Sequence, residues 1–172
     1  MSHKDRRMTD YIEYREMEPG EEQDVCNLAN HVFNQYVAPV YEQEGIDEFF
    51  RFSNPNAMKE RTRSEGFVLV AYQDDTLVGM IEFFPPNVIA MLFVTLQHHG
   101  IAKELLARLI TKAKEIIPDL KKLIVHSSPY AENIYKKLEF IKTGDETIEN
   151  GIIYIPMERS LCLLYTSDAA DE

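Results

Sequence analysis

The sequence has little cysteine, no tryptophan and no long apolar run. Two cysteines, Cys26 and Cys162, in 172 residues exclude the disulfide framework that holds many small secreted domains together. No stretch of about 18 consecutive apolar residues is present, so no transmembrane helix is predicted. The N-terminal segment MSHKDRRMTD is charged where a secretory signal needs an apolar segment. These absences predict a cytoplasmic protein with no membrane partner.

Clusters of basic residues are missing as well. The chain has 18 Lys and Arg residues against 29 Asp and Glu residues, for a net charge of −11. A nucleic-acid surface neutralises phosphates with clustered Lys and Arg, so we predict no nucleic-acid partner. The negative balance is better suited to a cationic or small neutral partner.

What is present is the composition of an ordinary globular protein. Hydrophobic residues make up 45% of the chain and charged residues 27%, which is enough for one packed domain. We place this domain at residues 1–161, because residues 162–172 (CLLYTSDAADE) resemble the translation of a sequencing-library adapter. A natural acidic tail is the alternative. Without the tail's Asp168, Asp171 and Glu172 the net charge is −8.

Hydrophobic periodicity and turn residues divide the chain into strands and helices of one α+β domain. Apolar residues repeat at helical spacing from Ile101 to Ile116, and Pro118 ends this pattern. Ser128-Pro129 supplies an N-cap and a first helical residue. Helices are predicted over residues 21–35, 45–52, 55–63 and 101–117, and after Ser128. Strands are predicted over residues 11–17, 67–72, 76–84, 88–94, 123–126, 140–143 and 152–157, with an antiparallel meander from 67 to 94.

The corner before the strongest helix reads QHHGIA, residues 97–102. Gly100 lets the chain turn without a Cβ, and the small Ala102 permits close approach of a bulky anion. The first N–H groups of a helix lack intrahelical partners and lie at the positive end of its dipole, so anions bind there readily. Taken alone, the pattern fits either an ordinary corner or a phosphate site.

The adjacent His98 and His99 raise the question of a metal site. Neighbouring residues in a tight loop rarely converge on one ion, and no Cys or carboxylate ligand set stands nearby. We therefore predict no metal site. The backbone N–H groups of these two residues, rather than their imidazoles, are expected to face an anion.

The order of elements, the Q-x-x-G-x-A corner and the later segment SSPYAENIYKKLEF together resemble the GCN5-related N-acetyltransferase (GNAT) superfamily over about residues 11–159. The resemblance implies a three-layer αβα fold of the α+β class. Its sheet is expected to be mixed and mainly antiparallel, with splayed central strands and helices on both faces. The resemblance also implies direct transfer of an acetyl group from acetyl-CoA to an amine.

The resemblance implies roles for particular residues. The diphosphate of the cofactor is expected at Gln97, His98, His99, Gly100, Ile101 and Ala102. The strand edge Leu92, Phe93 and Val94 is expected to pair with the pantetheine arm. Tyr135 is the predicted general acid for the departing thiolate, although a core tyrosine is the alternative. Ser128 and Asn133 are expected to cap the helix or contact the cofactor.

Two departures from the family pattern concern the backbone. The approach from Val94 to Gln97 is about two residues shorter than is usual in the family. Glu139 stands where the family has a glycine, so a left-handed helix end there is expected to be strained or rebuilt.

The predicted general base is Glu82, which lies in the apolar strand segment VGMIEFF. A carboxylate facing the cleft from such a strand would have a raised pKa and could deprotonate an ammonium group. A solvated outer face is the alternative. His126, at the end of the next strand, is a weaker candidate, and Cys26 lies on an apolar helical stripe and is interpreted as core.

Residues 36–52 correspond to the part of the family fold that covers the acceptor, and they mix aromatic and acidic side chains. That mixture suits a protonated amine, but an amphipathic helix with a solvated acidic face has the same pattern. The predicted acceptor is a small-molecule primary amine. A non-catalytic acyl-CoA-binding module and a protein lysine or N-terminal acetyltransferase are the alternatives. Family members commonly dimerise, so the resemblance also implies a homodimer.

Overall fold

The computed structural model describes residues 11–95 and 100–162, which contain five α-helices and eight strands. The helices are α1 (Glu22–Val32), α2 (Gln43–Phe52), α3 (Pro55–Arg61), α4 (Ile101–Ile116) and α5 (Glu132–Lys137). The strands are β1 (Ile12–Glu16), β2 (Phe67–Gln73), β3 (Thr76–Phe84), β4 (Val88–Val94), β5 (Lys122–Ser127), β6 (Ile141–Lys142), β7 (Thr147–Glu149) and β8 (Ile152–Ser160). The predicted strands at 67–72, 76–84 and 88–94 are confirmed to within one residue.

The strands form a sheet in the order β1-β2-β3-β4-β5-β8-β6, and β7 pairs with β8. Every described pairing is antiparallel except that of β4 with β5. These two strands are parallel because α4, which connects them, returns the chain to the edge of the sheet at which β4 began. β4 and β5 pair only at Val88–Ile124 and Ile89–Val125 and then separate. The predicted mixed, mainly antiparallel sheet with splayed central strands is therefore confirmed.

Each face of the sheet is covered by a separate apolar cluster. The α4 cluster packs Leu105, Leu109 and Ala113 of α4 on Ile81 and Phe83 of the sheet. The α1 cluster packs Val25, Ala29 and Met58 of α1 and α3 on Val70 and Met80 of the sheet. Because alternate residues of a strand point to opposite faces, β2 and β3 serve both clusters. Helices on both faces confirm the three-layer arrangement.

The ends of some elements differ from the predictions. α1 ends at Val32 and is followed by a π-helical turn, Phe33–Val37, instead of continuing as one helix to residue 35. α5 begins at Glu132, because residues 129–131 form a turn before it. β7 was not predicted. Asn150 and Gly151 join β7 to β8 with φ values of 51° and 81°, as a two-residue hairpin turn requires.

Glu139 adopts the left-handed conformation that the family assigns to glycine, with φ of 69°. The Phe140 N–H donates to the Tyr135 carbonyl at 2.9 Å, which closes the helix end in the manner of a glycine cap. Arg159 supports this end from β8, since it donates to the Leu138 carbonyl at 3.2 Å and pairs with the Glu139 carboxylate at 3.3 Å. The helix end is therefore retained, with the left-handed residue braced by Arg159.

Three predicted features fall outside the described residues, wholly or in large part. They are the Gln97, His98 and His99 corner, the short approach to it, and all of the proposed tail except Cys162. Within the described ranges, no helix is long and apolar enough to cross a membrane.

Candidate active site

A cavity of about 910 Å³ opens where β4 and β5 separate. Its walls come from β4, β5 and the first turn of α4, and from α2, α5 and the β7–β8 hairpin. Loss of the β4–β5 pairing after Ile89 creates this space, because the strand edges beyond it no longer bond to each other. The cavity thus lies at the one parallel junction among the described strand pairings.

The start of α4 forms one end of the cavity. Gly100 is the N-cap residue, with a left-handed φ of 97°, and among the described residues no side chain caps the helix. Gly100, Ala102 and Lys103 line the cavity, whereas Ile101 is buried in the α4 cluster and is not part of the lining. Uncapped N–H groups and a nearby lysine make this end electropositive.

The β4 edge runs along the cavity wall. Leu92, Phe93 and Val94, predicted to meet the cofactor, all line the cavity. On one side these three residues pair with Ile81, Met80 and Gly79 of β3. On the other side, toward β5, they have no strand partner. Main-chain groups on the β5 side of this segment are therefore placed to bond a ligand that lies in the splay.

Tyr135 of α5 reaches the cavity from the α4 cluster. It is 5% exposed, and its ring packs edge-on against Phe140 at 5.4 Å between centroids. Burial raises the pKa of Tyr135 above its ordinary value, so the hydroxyl stays protonated at neutral pH. In the described parts of the chain this hydroxyl has no hydrogen-bond partner, which leaves it available to a ligand.

Ser128 and Asn133 lie in different surroundings. Ser128 lines the cavity, and its Oγ accepts the Ala131 N–H at 3.2 Å, so it caps the turn that precedes α5 rather than the helix itself. Asn133 is exposed on α5 and is not part of the lining. Of this predicted pair, the structure brings only Ser128 to the site.

Glu82 does not face the cleft, so this part of its predicted role is wrong. Its side chain is fully buried, lies outside the cavity lining, and accepts two hydrogen bonds from Arg61 at 2.8 and 3.0 Å. Arg61 also donates to the Phe52 carbonyl at 2.8 Å and lies 3.6 Å from the centroid of the Phe52 ring. Because Phe52 lines the cavity, the ion pair supports the wall from behind.

The opposite end of the cavity is aromatic and acidic. Phe33 and Phe49 stack at 3.8 Å, Tyr36 and Tyr130 stack at 4.9 Å, and Phe52 completes the wall. Both carboxylates of the lining, Glu48 of α2 and Glu149 of β7, belong to this end, whereas both lysines, Lys103 and Lys137, come from α4 and α5. The cavity therefore has a cationic end and an anionic end.

Both interpretations of residues 36–52 hold, on different faces of α2. Glu48, Phe49 and Phe52 line the cavity, while Glu44 and Asp47 are exposed. An amphipathic helix here covers the cavity with one face and is solvated on the other.

Helix α2 is held against the β7–β8 hairpin by two contacts. Gly45 packs on Gly151 so closely that a Cβ on either residue would overlap the backbone of the other. The Tyr41 hydroxyl, just before α2, donates to the Ile153 carbonyl at 2.8 Å. These contacts close the acidic end of the cavity.

Substitution of Gly45 by alanine is expected to lower the free energy of unfolding by about 1–3 kcal/mol, because the added Cβ must push α2 away from the hairpin. Urea denaturation followed by circular dichroism measures this loss. Gln43→Ala, at an exposed position in the first turn of α2, is the control and is expected to change stability by less than about 0.5 kcal/mol. Equal stability of the two variants would contradict the close packing.

A further group at the cavity was given little weight from the sequence. His126 of β5 lines the cavity, and its ring stacks on Tyr154 with 4.0 Å between centroids and 13° between planes. Glu149 of β7 is the diagonal neighbour of Tyr154 across the β7–β8 pairing, in which Thr147 lies opposite Tyr154. The Asn150-Gly151 turn signal indicated the hairpin that carries Glu149, but residues this far apart in sequence reveal no contact by pattern alone.

The described residues hold no group of three or more His, Cys, Asp or Glu side chains arranged to bind a metal ion.

Comparison with known proteins identifies one family and a set of similar folds. The sequence matches the family described as acetyltransferase (GNAT) domain over residues 37–161, and a search of curated proteins gave no match. Similar solved structures include a GCN5-related N-acetyltransferase from Rhodopseudomonas palustris, with TM-score 0.71, 19% identity, and coverage of 87% of this chain and 95% of that one. The PaiA N-acetyltransferase of Thermoplasma acidophilum, in complex with coenzyme A, has TM-score 0.70, 18% identity, and coverage of 87% and 99%.

The spermidine N-acetyltransferase of Vibrio cholerae, in complex with CoA and spermine, has TM-score 0.59, 18% identity, and coverage of 88% of this chain and 96% of that one. At such identities these structures show the fold. Because the family match spans most of the sequence, the chain belongs to the GNAT family of acetyltransferases.

Proposed function

We propose that the protein is an acetyl-CoA-dependent N-acetyltransferase that moves the acetyl group directly to a primary amine of a small molecule. The observation that carries this proposal is the cavity at the β4–β5 splay. It runs from the uncapped start of α4, past the unpaired β4 edge and Tyr135, to an acidic aromatic end. That order suits acetyl-CoA, with its diphosphate at the start of α4 and its thioester near Tyr135. The acidic end then suits an acceptor amine that carries a positive charge.

The residues present fit the cosubstrate. The N–H groups at Gly100 to Lys103, with the lysine side chain, suit its diphosphate. The main chain of Leu92 to Val94 suits the amides of the pantetheine arm. When bound, acetyl-CoA supplies an activated acyl group, and the chain supplies position, charge and protons. The Thermoplasma and Vibrio structures that contain CoA support this fit.

Tyr135 is proposed to donate its proton to the leaving sulfur. A coenzyme thiol ionises near the range of cysteine, about 8.5, and a tyrosine with a raised pKa remains protonated at neutral pH. N–H groups of the splayed β4 edge are proposed to stabilise the oxyanion. Both groups act from the donor side of the cavity.

The acceptor is proposed to enter at the opposite end. Glu48 and Glu149 give this end a negative potential, which attracts an alkylammonium ion. The rings of Tyr36, Phe49 and Phe52 form an apolar wall that suits the carbon skeleton of such an amine. The spermine in the Vibrio complex supports an amine as the class of acceptor.

The proposal also covers the domain organisation of the chain and its location in the cell. Residues 1–161 are proposed to form one acetyltransferase domain that acts in the cytoplasm, with no nucleic-acid or membrane partner. The homodimer implied by the family resemblance stays a prediction.

An amine panel tests the proposed function. Purified protein is first titrated with CoA in a thermal-shift assay, and then incubated with acetyl-CoA and alkylamines, arylalkylamines, polyamines or lysine peptides while thiol release is followed. We expect stabilisation by CoA and thiol release with at least one small amine, confirmed by mass spectrometry of the acetylated product. Stabilisation without turnover would indicate a binding module, turnover of peptides alone a protein acetyltransferase, and no stabilisation would overturn the proposal.

A further inference from the structure

His126 lies at the point where the two central strands part. The last β4–β5 pair is Ile89 with Val125, and His126 is the next residue of β5. Val125 and Ser127 are buried, and Val125 packs in the α4 cluster. Since side chains alternate along a strand, His126 projects from the opposite face, where it is exposed to the cavity.

The His126 imidazole stacks on Tyr154 through its face, and its ring nitrogens point away from this contact. β5 and β8 place His126 opposite Pro156, so Tyr154 is its diagonal neighbour and the two rings stack. A face-to-face contact leaves the ring nitrogens unoccupied. Neither nitrogen has a hydrogen-bond partner among the described residues, so one can accept a proton from a ligand.

A carboxylate stands behind the Tyr154 ring. Burial, and next the neighbouring Glu149 carboxylate, raise the pKa of Tyr154, so its hydroxyl stays protonated at neutral pH. The strand register therefore places Tyr154 of β8 between His126 of β5 and Glu149 of β7.

The charges around the site are balanced. Two carboxylates and two ammonium groups share the cavity lining with His126: Glu48, Glu149, Lys103 and Lys137. The lining also contains five tyrosines, which are Tyr36, Tyr41, Tyr130, Tyr135 and Tyr154. Further along the same face of β5 and β8, Lys122 and Glu158 pair with each other at 3.4 Å. The carboxylates lie at the acceptor end, on the side of Tyr154.

We propose that His126 is the catalytic base that takes the proton from the acceptor ammonium group, directly or through one water molecule, with Tyr154 and Glu149 as its positioning residues. The proposal rests on the proposed function. His126 and Tyr135 then act from opposite faces of the splay, one toward the amine and the other toward the thioester sulfur. Proton acceptance and proton donation are thus assigned to separate groups.

The proton and electron balance is complete. The ammonium gives one proton to His126, which passes it to solvent. The nitrogen lone pair forms the C–N bond to the acetyl carbon, the C–S bond breaks, and the sulfur takes the proton of Tyr135. The second nitrogen proton, lost as the amide forms, restores Tyr135. One ammonium ion and one thioester give one amide, one thiol and one proton.

The test compares His126→Gln with the wild type across pH, using the best amine of the panel. At pH 7 we expect kcat/KM to fall by about 100-fold or more. The deficit should shrink toward pH 10, because an alkylamine with a pKa near 10.4 then supplies its own neutral form. A purely structural loss would be the same at every pH. His31→Gln, at an exposed position of α1, is the matched control and should behave as the wild type.

Two readouts do not depend on turnover. CoA affinity measured by calorimetry should be the same in His126→Gln and in the wild type. In NMR spectra of the CoA complex, addition of the amine should shift the ring signals of His126 and leave those of His31 unchanged. Tyr154→Phe keeps the ring stack on His126, removes only the hydroxyl, and should cost less activity than His126→Gln.

The outcomes separate the two proposals. Turnover by the wild type with an equal pH profile in His126→Gln, or with no NMR response at His126, would overturn the role of His126 alone. Failure of the wild type to bind CoA would overturn the proposed function and this assignment together.

Discussion

Replacement of Tyr135 by phenylalanine is expected to lower kcat by about 100-fold or more while CoA affinity is unchanged. The hydroxyl is the group proposed to protonate the leaving sulfur, whereas the ring supplies the packing against Phe140. Since phenylalanine keeps the ring, the cavity wall should survive the substitution. Steady-state kinetics of thiol release and calorimetric titration with CoA measure the two effects separately.

The control for this experiment is Tyr11→Phe, because Tyr11 is 72% exposed and lies outside the cavity lining. It should match the wild type in both assays. The raised pKa of Tyr135 adds a second expectation, since the acid should remain protonated up to about pH 10 and beyond. The wild type should therefore show no loss of kcat from tyrosine ionisation below that pH. Full turnover in Tyr135→Phe would assign the acid to another group.

Replacement of Glu82 by glutamine is expected to destabilise the fold by about 3 kcal/mol. The carboxylate is fully buried, and it is the partner of Arg61, whose side chain is only 16% exposed. Removal of one member of a buried ion pair leaves the other charge uncompensated and costs about 3–5 kcal/mol. For a chain of this size that loss corresponds to a decrease in Tm of about 6–12 °C.

A neighbouring ion pair provides the matched control. Glu60 pairs with Arg63 at the end of the same helix region, but both side chains are more than two-thirds exposed. Glu60→Gln should therefore change stability by less than about 1 kcal/mol. A double variant with Glu82→Leu and Arg61→Met should recover most of the lost stability, because it leaves no buried charge. Equal losses in Glu82→Gln and Glu60→Gln would contradict the buried pair.

The same variant distinguishes Glu82 from His126 as the base. If Glu82 took the proton, Glu82→Gln would abolish turnover at neutral pH and recover it at high pH. We expect instead a less stable enzyme whose KM for the amine rises, because Arg61 holds the Phe52 wall. The shape of its pH profile should remain that of the wild type.

Local sequence signals predicted most of the fold. The 67–94 meander and α4 were predicted to within one residue because apolar periodicity and turn residues lie inside the elements they define. The end of α1 was not predicted, because apolar residues keep the same spacing where the α-helix changes to a π-helical turn at Phe33–Val37. The three-residue shift at the start of α5, from residue 129 to Glu132, likewise preserves the hydrophobic face.

The site was harder to predict, because strand alternation tells which residues share a face and not which face meets the cleft. Glu82 alternates with Ile81 and Phe83 as expected, but its partner Arg61 lies 21 residues earlier, and that pairing decides its environment. His126 was underrated for the same reason, since its neighbours Tyr154 and Glu149 come from a hairpin that follows α5. A family motif marks Tyr135, Gly100 and the β4 edge, and the structure places all of them in the cavity lining.

The central claim is that the splay between β4 and β5 holds acetyl-CoA with its sulfur between His126 and Tyr135. A crystal structure of the CoA complex tests it most directly. The account predicts the diphosphate at the Gly100 end of α4, the pantetheine arm along residues 90–94, and the sulfur within hydrogen-bonding reach of the Tyr135 hydroxyl. CoA bound elsewhere, or with its sulfur directed away from Tyr135, would contradict it.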